Sequence, residues 1–295
     1  MITRCSDGAA RRGDPMIGTA PPQRDWLLVE HHGPWPVSAP FDSDLPAELL
    51  RRLGHPERRI LLIRPHRREA ALREPTAGTR RRWFRCLKGE LRVGHWEQPD
   101  DLLATLTPEA GTPYPGGLLL VCAHGIHDAC CAVRGRPVAA ALTREWPEET
   151  FECSHLGGDR FAPNVLLLPD GACYAGMPPE QSVATVSAHL RGRVDVSWLR
   201  GVAGLHPAEQ VALAAVLERW GPAPITGARP TLMEHTGDFD SGVWTVAVAV
   251  TAPLPDRTRV VVASSRRPEA QLTCRAPRAT RAVQWDVQSV AEMPG

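Results

Sequence analysis

The stretch 117-GLLLVCAHGIHDACCAVRGRPVAAALTREW-146 decides the fold of this chain. Its apolar run from Leu118 to Cys122 has no polar interruption, the pattern of a strand buried on both faces. The run follows directly on 111-GTPYPGG-117, where Gly and Pro concentrate and break the chain. Asp128 is placed to cap a short turn through the adjacent Cys130 and Cys131. Gly135 then interrupts, and Pro137 suits the first position of a helix running to about Trp146. Downstream lie the strand-like 150-TFECSH-155, a Gly157-Gly158 loop, the strand 164-NVLLLP-169 and a turn at 169-PDG-171. Strand, helix, strand, strand is the order of a small α/β unit.

Upstream, 25-DWLLVEHH-32 and 58-RRILLIRP-65 read as strands, and 83-WFRCLKGELRVGHW-96 as a hairpin turning at Lys88-Gly89. Between the first two, a proline-rich loop leads into a short helix that Ser43 or Asp44 can cap. Downstream, 207-PAEQVALAAVLERW-220 has apolar residues at helical spacing, with Pro207 at its start and Gly221 as its stop. The segments 243-VWTVAVAV-250 and 258-TRVVVASS-265 read as a strand pair, and the Pro- and Arg-rich tail after Arg266 as extended and peripheral. No internal repeat is evident. The expected division is a strand-rich α/β region over 1–112, the central α/β domain over 113–223, and a C-terminal strand pair with its tail over 224–295.

Charge excludes some classes of function. The chain carries a net charge of +1, and all its basic residues except Lys88 are Arg, spread along its length. That is a weak footprint for nucleic acid. The densest run, 80-RRRWFR-85, reads as a solvated strand edge. No apolar run approaches the length of a membrane span, and residues 1–16 lack the apolar segment of a signal peptide. A cytoplasmic location is therefore expected, and eight cysteines in a reducing compartment point to metal or redox chemistry before disulfides.

Cys122, His124, His127, Cys130, Cys131, Cys153, His155 and Asp159 fall within one short span. Thiolates and imidazoles select transition metals, zinc and iron–sulfur centres above all. Cys122 stands at a buried strand end and Cys131 in a turn that can fold back on it. Gly157 and Gly158 let the backbone between His155 and Asp159 turn tightly. Asp159 reads equally as a ligand or as an ion pair or helix cap. Cys153, on the same strand face as His155, is its natural substitute. Consecutive side chains diverge, so one of Cys130 and Cys131 packs while the other binds, and His124 and His127 read as orienting groups more than ligands. Cys5, Cys86, Cys173 and Cys274 read as small buried hydrophobes. Asn164 is the only asparagine in the chain, kept for its amide geometry to hold a loop carbonyl or a sulfide.

The motifs 121-VCAHGIHDACCA-132 and 154-SHLGGDRFAPNVLLLP-169 resemble the two signatures of the sucrase/ferredoxin-like family, with weaker likeness at 5–21, 26–36 and 198–201. The resemblance implies an α/β fold: a thioredoxin-like ferredoxin domain with a mixed sheet holding a [2Fe-2S] cluster. It carries over Cys122, Cys131 and His155 as ligands, whereas Asp159 stands where family members have a second histidine. Three outcomes follow from that departure: Asp159 ligates, Cys153 replaces it, or the cluster gives way to another metal or to none. The implied function is a one-electron carrier serving an unidentified redox partner protein. The alternatives are a thiol-based redox enzyme using Cys130 or Cys131, and a structural zinc protein. Sugar hydrolysis is not expected, since no pair of carboxylates at a strand end suggests it.

Overall fold

The apolar run before Cys122 forms strand β6 (Leu118–Cys122), every residue of which is buried. The computed structural model describes residues 4–66, 80–251 and 254–293. After the first helix α1 (Cys5–Arg12), two units of the same topology follow. The first is β1 (Asp25–Glu30), α2 (Ala47–Leu53), β2 (Arg58–Pro65), β3 (Arg81–Leu87) and β4 (Glu90–Trp96). The second is β6, α3 (Ala129–Glu145), β7 (Thr150–Cys153), β8 (Asn164–Leu168) and β9 (Ala172–Ala175).

In each unit the first strand pairs parallel with the second across the helix and antiparallel with the third, which pairs antiparallel with the fourth. The units join edge to edge through antiparallel pairing of β2 with β7, Ile63 opposite Cys153 and Pro65 opposite Phe151. With β5 (Thr112–Pro113) beside β4 and β10 (Leu199–Val202) beside β9, the result is one ten-stranded mixed sheet. The duplication is one of topology, which the sequence pattern does not display.

Alternation along the strands sorts residues between the two faces. Leu27 and Val29 of β1 pack with Leu53, Trp83 and Trp96 on one face. Trp26 and Leu28 share the other face with Leu118, Leu120, Cys122, Cys131 and Cys153. Leu119 and Val121 of β6 face a third cluster that includes Val138 and Leu142 of α3. Each such fully buried aliphatic side chain contributes roughly 1.5–3 kcal/mol.

Four local readings are corrected. The helix begins at Ala129, not Pro137, and runs continuously through Gly135 and Pro137. Asp128 nucleates it by accepting the Cys130 N–H, and packing on the sheet offsets the hydrogen bond that Pro137 cannot donate. Gly135 is required: a Cβ there would lie 2.0 Å from the Cys122 carbonyl oxygen. Helix α2 has no side-chain cap, because Asp44 bonds His31 at 2.6 Å and Ser43 bonds the Pro40 carbonyl. The run at 80–85 is not a solvated edge, for β3 lies between β1 and β4, and buried Arg85 holds Asp25 through both Nε and Nη2.

At the C-terminal end the strand pair, β12 (Val243–Val250) and β13 (Arg257–Arg266), is the centre of a four-stranded antiparallel sheet. Its edges are β11 (Ala228–Thr236) and β14 (Val283–Glu292), so the segment read as an extended tail supplies a strand. Of the two helices that follow β9, α4 (Pro179–Leu190) and α5 (Pro207–Trp220), the second covers this sheet, Val211 and Leu213 sharing a core with Val246, Val260 and Trp285. That covered face explains the ordering of β14. The hairpin at Lys88-Gly89 turns as expected, both residues having positive φ, 52° and 81°.

Candidate metal centre

Two strand ends build the site. Strand β6 delivers Cys122, the chain loops through His124 and His127, and the Asp128 cap fixes Cys131 in the first turn of α3. Neighbouring β7 ends at Cys153. Ser154 is pinned to β2 by giving its N–H to the Leu62 carbonyl and accepting the Leu62 N–H on Oγ. The chain then turns through His155 and the left-handed Gly157 and Gly158, φ 87° and 78°, into a short 3-10 turn, Asp159–Phe161.

These segments bring together the Sγ atoms of Cys122 and Cys131 and a ring nitrogen of His155, all within 4.8 Å of one another. A second triad, His127, His155 and Asp159, shares the imidazole of His155. Asp159 Oδ1 lies 3.0 Å from His155 Nδ1 and 3.3 Å from Cys131 Sγ, so it touches both groups. The ring of His127 stacks on His155 with centroids 3.8 Å apart, and its Nδ1 meets the Val37 carbonyl. His124 is tied through Nε2 to the Pro36 carbonyl, so it orients the loop after β1 over the site.

The electrostatics follow from this crowding. The Cys122 thiol is held well below its ordinary range, by a hydrogen bond from Cys131 in the first place and by His155, despite complete burial. Cys131 is correspondingly raised by its hydrogen bond to Cys122, by burial and by Asp159. Burial disfavours a charged His155, yet Asp159 and Cys122 outweigh it and raise its pKa to about 9. Burial likewise opposes an ionised Asp159, but His155, Cys131 and His127 hold it below the usual carboxylate range.

The donor set fits a thiophilic metal. Two soft sulfurs, an imidazole and a carboxylate converge from two rigid strand ends. His155 Nδ1 is buried and, although close to Asp159, has no hydrogen bond of acceptable geometry. Such a nitrogen has a lone pair or proton left to place, which a metal ion could satisfy.

Asn164 does not enter the group. Its Nδ2 donates to the Gly158 carbonyl, and its Oδ1 accepts from Arg200 Nη1 at 2.7 Å. Arg200 also donates to the Gly157 carbonyl and the Thr19 carbonyl, clamping the Gly-Gly loop from behind. A Cβ on Gly158 would meet the Arg200 guanidinium at 2.5 Å. On the other side Arg59 Nη2 donates to the His155 carbonyl at 2.6 Å. Both arginines escape a sequence reading: one Arg among 33 carries no mark, and only the contacts reveal that half-buried Arg59 and buried Arg200 flank Cys122.

Cys153 is buried beside Cys122 but is not one of the converging atoms, and burial drives its thiol well above its usual range. Cys130, next to Cys131, points into a separate cluster with Cys5 and Cys274. Hydrogen bonding from Cys5, ahead of all other causes, draws its pKa down to about 6. It is completely buried, which withholds it from a substrate in the role of a reactive nucleophile.

Residues 16–201, which contain the whole of this centre, match the sucrase/ferredoxin-like family. No curated protein matches the chain. Among solved structures, a cysteine-to-serine variant of the thioredoxin-like [2Fe-2S] ferredoxin from Aquifex aeolicus is similar at 21% identity and a TM-score of 0.25, over 28% of this chain and 97% of its own. Among the described residues, no helix is long and apolar enough to cross a membrane.

Proposed function

The chain belongs to the sucrase/ferredoxin-like family, and on that premise we propose that it is a one-electron redox protein whose [2Fe-2S] cluster is held by Cys122, Cys131, His155 and Asp159. The observation supporting this reading is the convergence of two thiols and an imidazole within 4.8 Å, with Asp159 against both Cys131 and His155. When bound, the cluster supplies a one-electron couple whose potential is set by ligand charge, hydrogen bonding and exposure. The residues of the chain tune it. Asp159 in place of a neutral imidazole adds negative charge and lowers the potential, while half-buried Arg59 and buried Arg200 offset part of that charge.

The route outward runs through histidine. Burial encloses the two cysteines, whereas the His155 and His127 side chains are 22% and 31% exposed. Both line a cleft that also contains Val37, Pro40 and Phe41. We assign this cleft as the approach of the redox partner protein, with Phe41, 66% exposed, as its apolar contact.

A second reading is favoured by the compactness of the group. Ligand atoms all within 4.8 Å also suit a single zinc ion with Cys, His and Asp ligands. Anaerobic purification with quantified iron and acid-labile sulfide, together with the visible spectrum, separates the two. Iron and sulfide in equal amounts with a charge-transfer spectrum support the cluster. Colourless protein without sulfide, after reconstitution with iron and sulfide has also failed, overturns it.

A further inference from the structure

Three further thiols meet at one point on the other side of Cys131. Cys5 opens α1, Cys130 is the second residue of α3, and Cys274 lies in the irregular segment between β13 and β14. Their sulfurs form a nearly equilateral triangle: 3.5 Å from Cys5 to Cys130, 3.4 Å from Cys130 to Cys274 and 3.5 Å from Cys274 to Cys5. Asp128 approaches the same point, its Oδ2 lying 3.6 Å from Cys5 Sγ. We propose that Cys5, Cys130, Cys274 and Asp128 form a zinc site distinct from the Cys122 centre, tying both ends of the chain to the start of α3.

The spacing is that of ligands around one ion. With sulfur about 2.3 Å from zinc and oxygen about 2.0 Å, tetrahedral neighbours stand about 3.8 Å apart for two sulfurs and about 3.5 Å for sulfur and oxygen. The observed triangle admits an ion at that bond length just above its plane, on the axis where a fourth ligand belongs. Iron–sulfur ligation is not favoured here, because all three sulfurs address a single point and a carboxylate, a harder ligand, completes the set.

Charge supplies an independent argument. Asp128 is completely buried and, among the described residues, forms no ion pair with a Lys, Arg or His. Its oxygens accept the N–H groups of Cys130, at 2.8 Å, and Cys274, at 2.6 Å, which orient the carboxylate without neutralising it. The N-terminus of α3 helps to hold the carboxylate there, and a divalent ion would balance its charge together with that of the sulfurs it binds. Further donors are already aimed at the sulfurs: the Cys5 N–H at Cys274 Sγ, 3.4 Å away, and the Ser6 hydroxyl at Cys130 Sγ, 3.2 Å away. Such outer hydrogen bonds hold thiolate ligands in place.

The consequence reaches the first centre mechanically. Cys130 and Cys131 are adjacent on α3, so an ion bound to one fixes the helix turn that presents the other. Arg134 of α3 reaches Asp7 of α1 and reinforces the same junction. Cys5 and Cys274 lie on either side of the matched segment 16–201, and Cys130 lies within it.

The test uses the full-length protein expressed with zinc and iron in the medium. Expected is about one zinc per chain lost in each of Cys5→Ala and Cys274→Ala relative to wild type, with about one zinc per chain retained in Cys122→Ala. Alkylation of the folded wild type with mass readout tests the site without any variant: Cys5, Cys130 and Cys274 are protected until a chelator strips the zinc, then label together. Zinc content unchanged from wild type in both Cys5→Ala and Cys274→Ala, a Cys122→Ala protein left with no zinc at all, or a disulfide linking any two of the three cysteines in the freshly isolated protein would each overturn the proposal. The readout does not depend on the cluster, since a chain with zinc here and no iron anywhere still supports this site while sinking the electron-carrier reading.

Discussion

Asp159 reaches the imidazole Nδ1 of His155 at 3.0 Å, and so stands where it can either share a metal with that ring or hold its proton. The same Oδ1 lies 3.3 Å from Cys131 Sγ, joining the loop after β7 to the first turn of α3. One carboxylate thereby bridges both motifs of the candidate centre.

Replacing Asp159 with His exchanges an anionic group for a neutral one at the centre. The midpoint potential is expected to rise, on the order of 100 mV, and to become more dependent on pH because imidazole titrates. Film voltammetry of Asp159→His beside wild type reads this directly. A potential that stays put or falls would remove Asp159 from the ligand set.

Cys131, in the first turn of α3, and Cys153, at the end of β7, are expected to differ. Cys131→Ala should lose the metal, whereas Cys153→Ala should retain it with an unchanged visible spectrum, because Cys153 lies outside the converging group. The alanine at 153 is still expected to cost stability, by about 1–2 kcal/mol for a buried sulfur removed from a packed layer. Retention of the metal by Cys131→Ala would refute the assignment.

Asn164→Ala deletes the donor to the Gly158 carbonyl and the acceptor for buried Arg200. Each group left unpaired costs about 1–3 kcal/mol, so denaturant unfolding should show a loss of several kcal/mol. The Gly-Gly loop should also release its metal faster to a chelator. A loss below about 0.5 kcal/mol would mean that the clamp is not formed.

Acid sensitivity has a source away from the centre. Burial opposes an ionised Glu30, but His32 and Arg82 overcome it and bring its pKa from 4.5 down to about 2. A depressed carboxylate stabilises the fold fully above its unfolded pKa, and that stability is lost as pH falls from about 4.5 through about 2. The shift corresponds to roughly 3 kcal/mol. Urea midpoints measured between pH 5 and pH 3 should fall less steeply for Glu30→Gln than for wild type, and parallel slopes would contradict the pairing.

Much of the fold is legible in the residues because its signals are local. The unbroken apolar run before Cys122 has the pattern of a strand buried on both faces and forms one, and the Pro207 and Gly221 boundaries of α5 match the structure. Lys88-Gly89 dictates its turn by backbone conformation alone. Local signals also mislead where tertiary contact outweighs them. Pro137 is the expected opening of a helix, yet it lies inside one whose start Asp128 fixes. Arg85 looks solvated, yet it is buried against Asp25 once β1 and β4 enclose its strand.

What the sequence by itself determined is the placing of Cys122, Cys131, His155 and Asp159 in two short motifs, each at the end of a strand and made compact by a cap or by glycines. Strand periodicity and turn chemistry act over a few residues, so they can be read without coordinates. Only the tertiary structure decided that Arg59 and Arg200 flank the thiolates, that two units of one topology share an edge through β2 and β7, and that Cys5 and Cys274 reach Cys130. Those partners lie up to 269 residues apart, and no local preference encodes such a pairing. It arises when the burial of whole faces selects one arrangement of the elements, and chemistry far apart in the chain is carried to a common point.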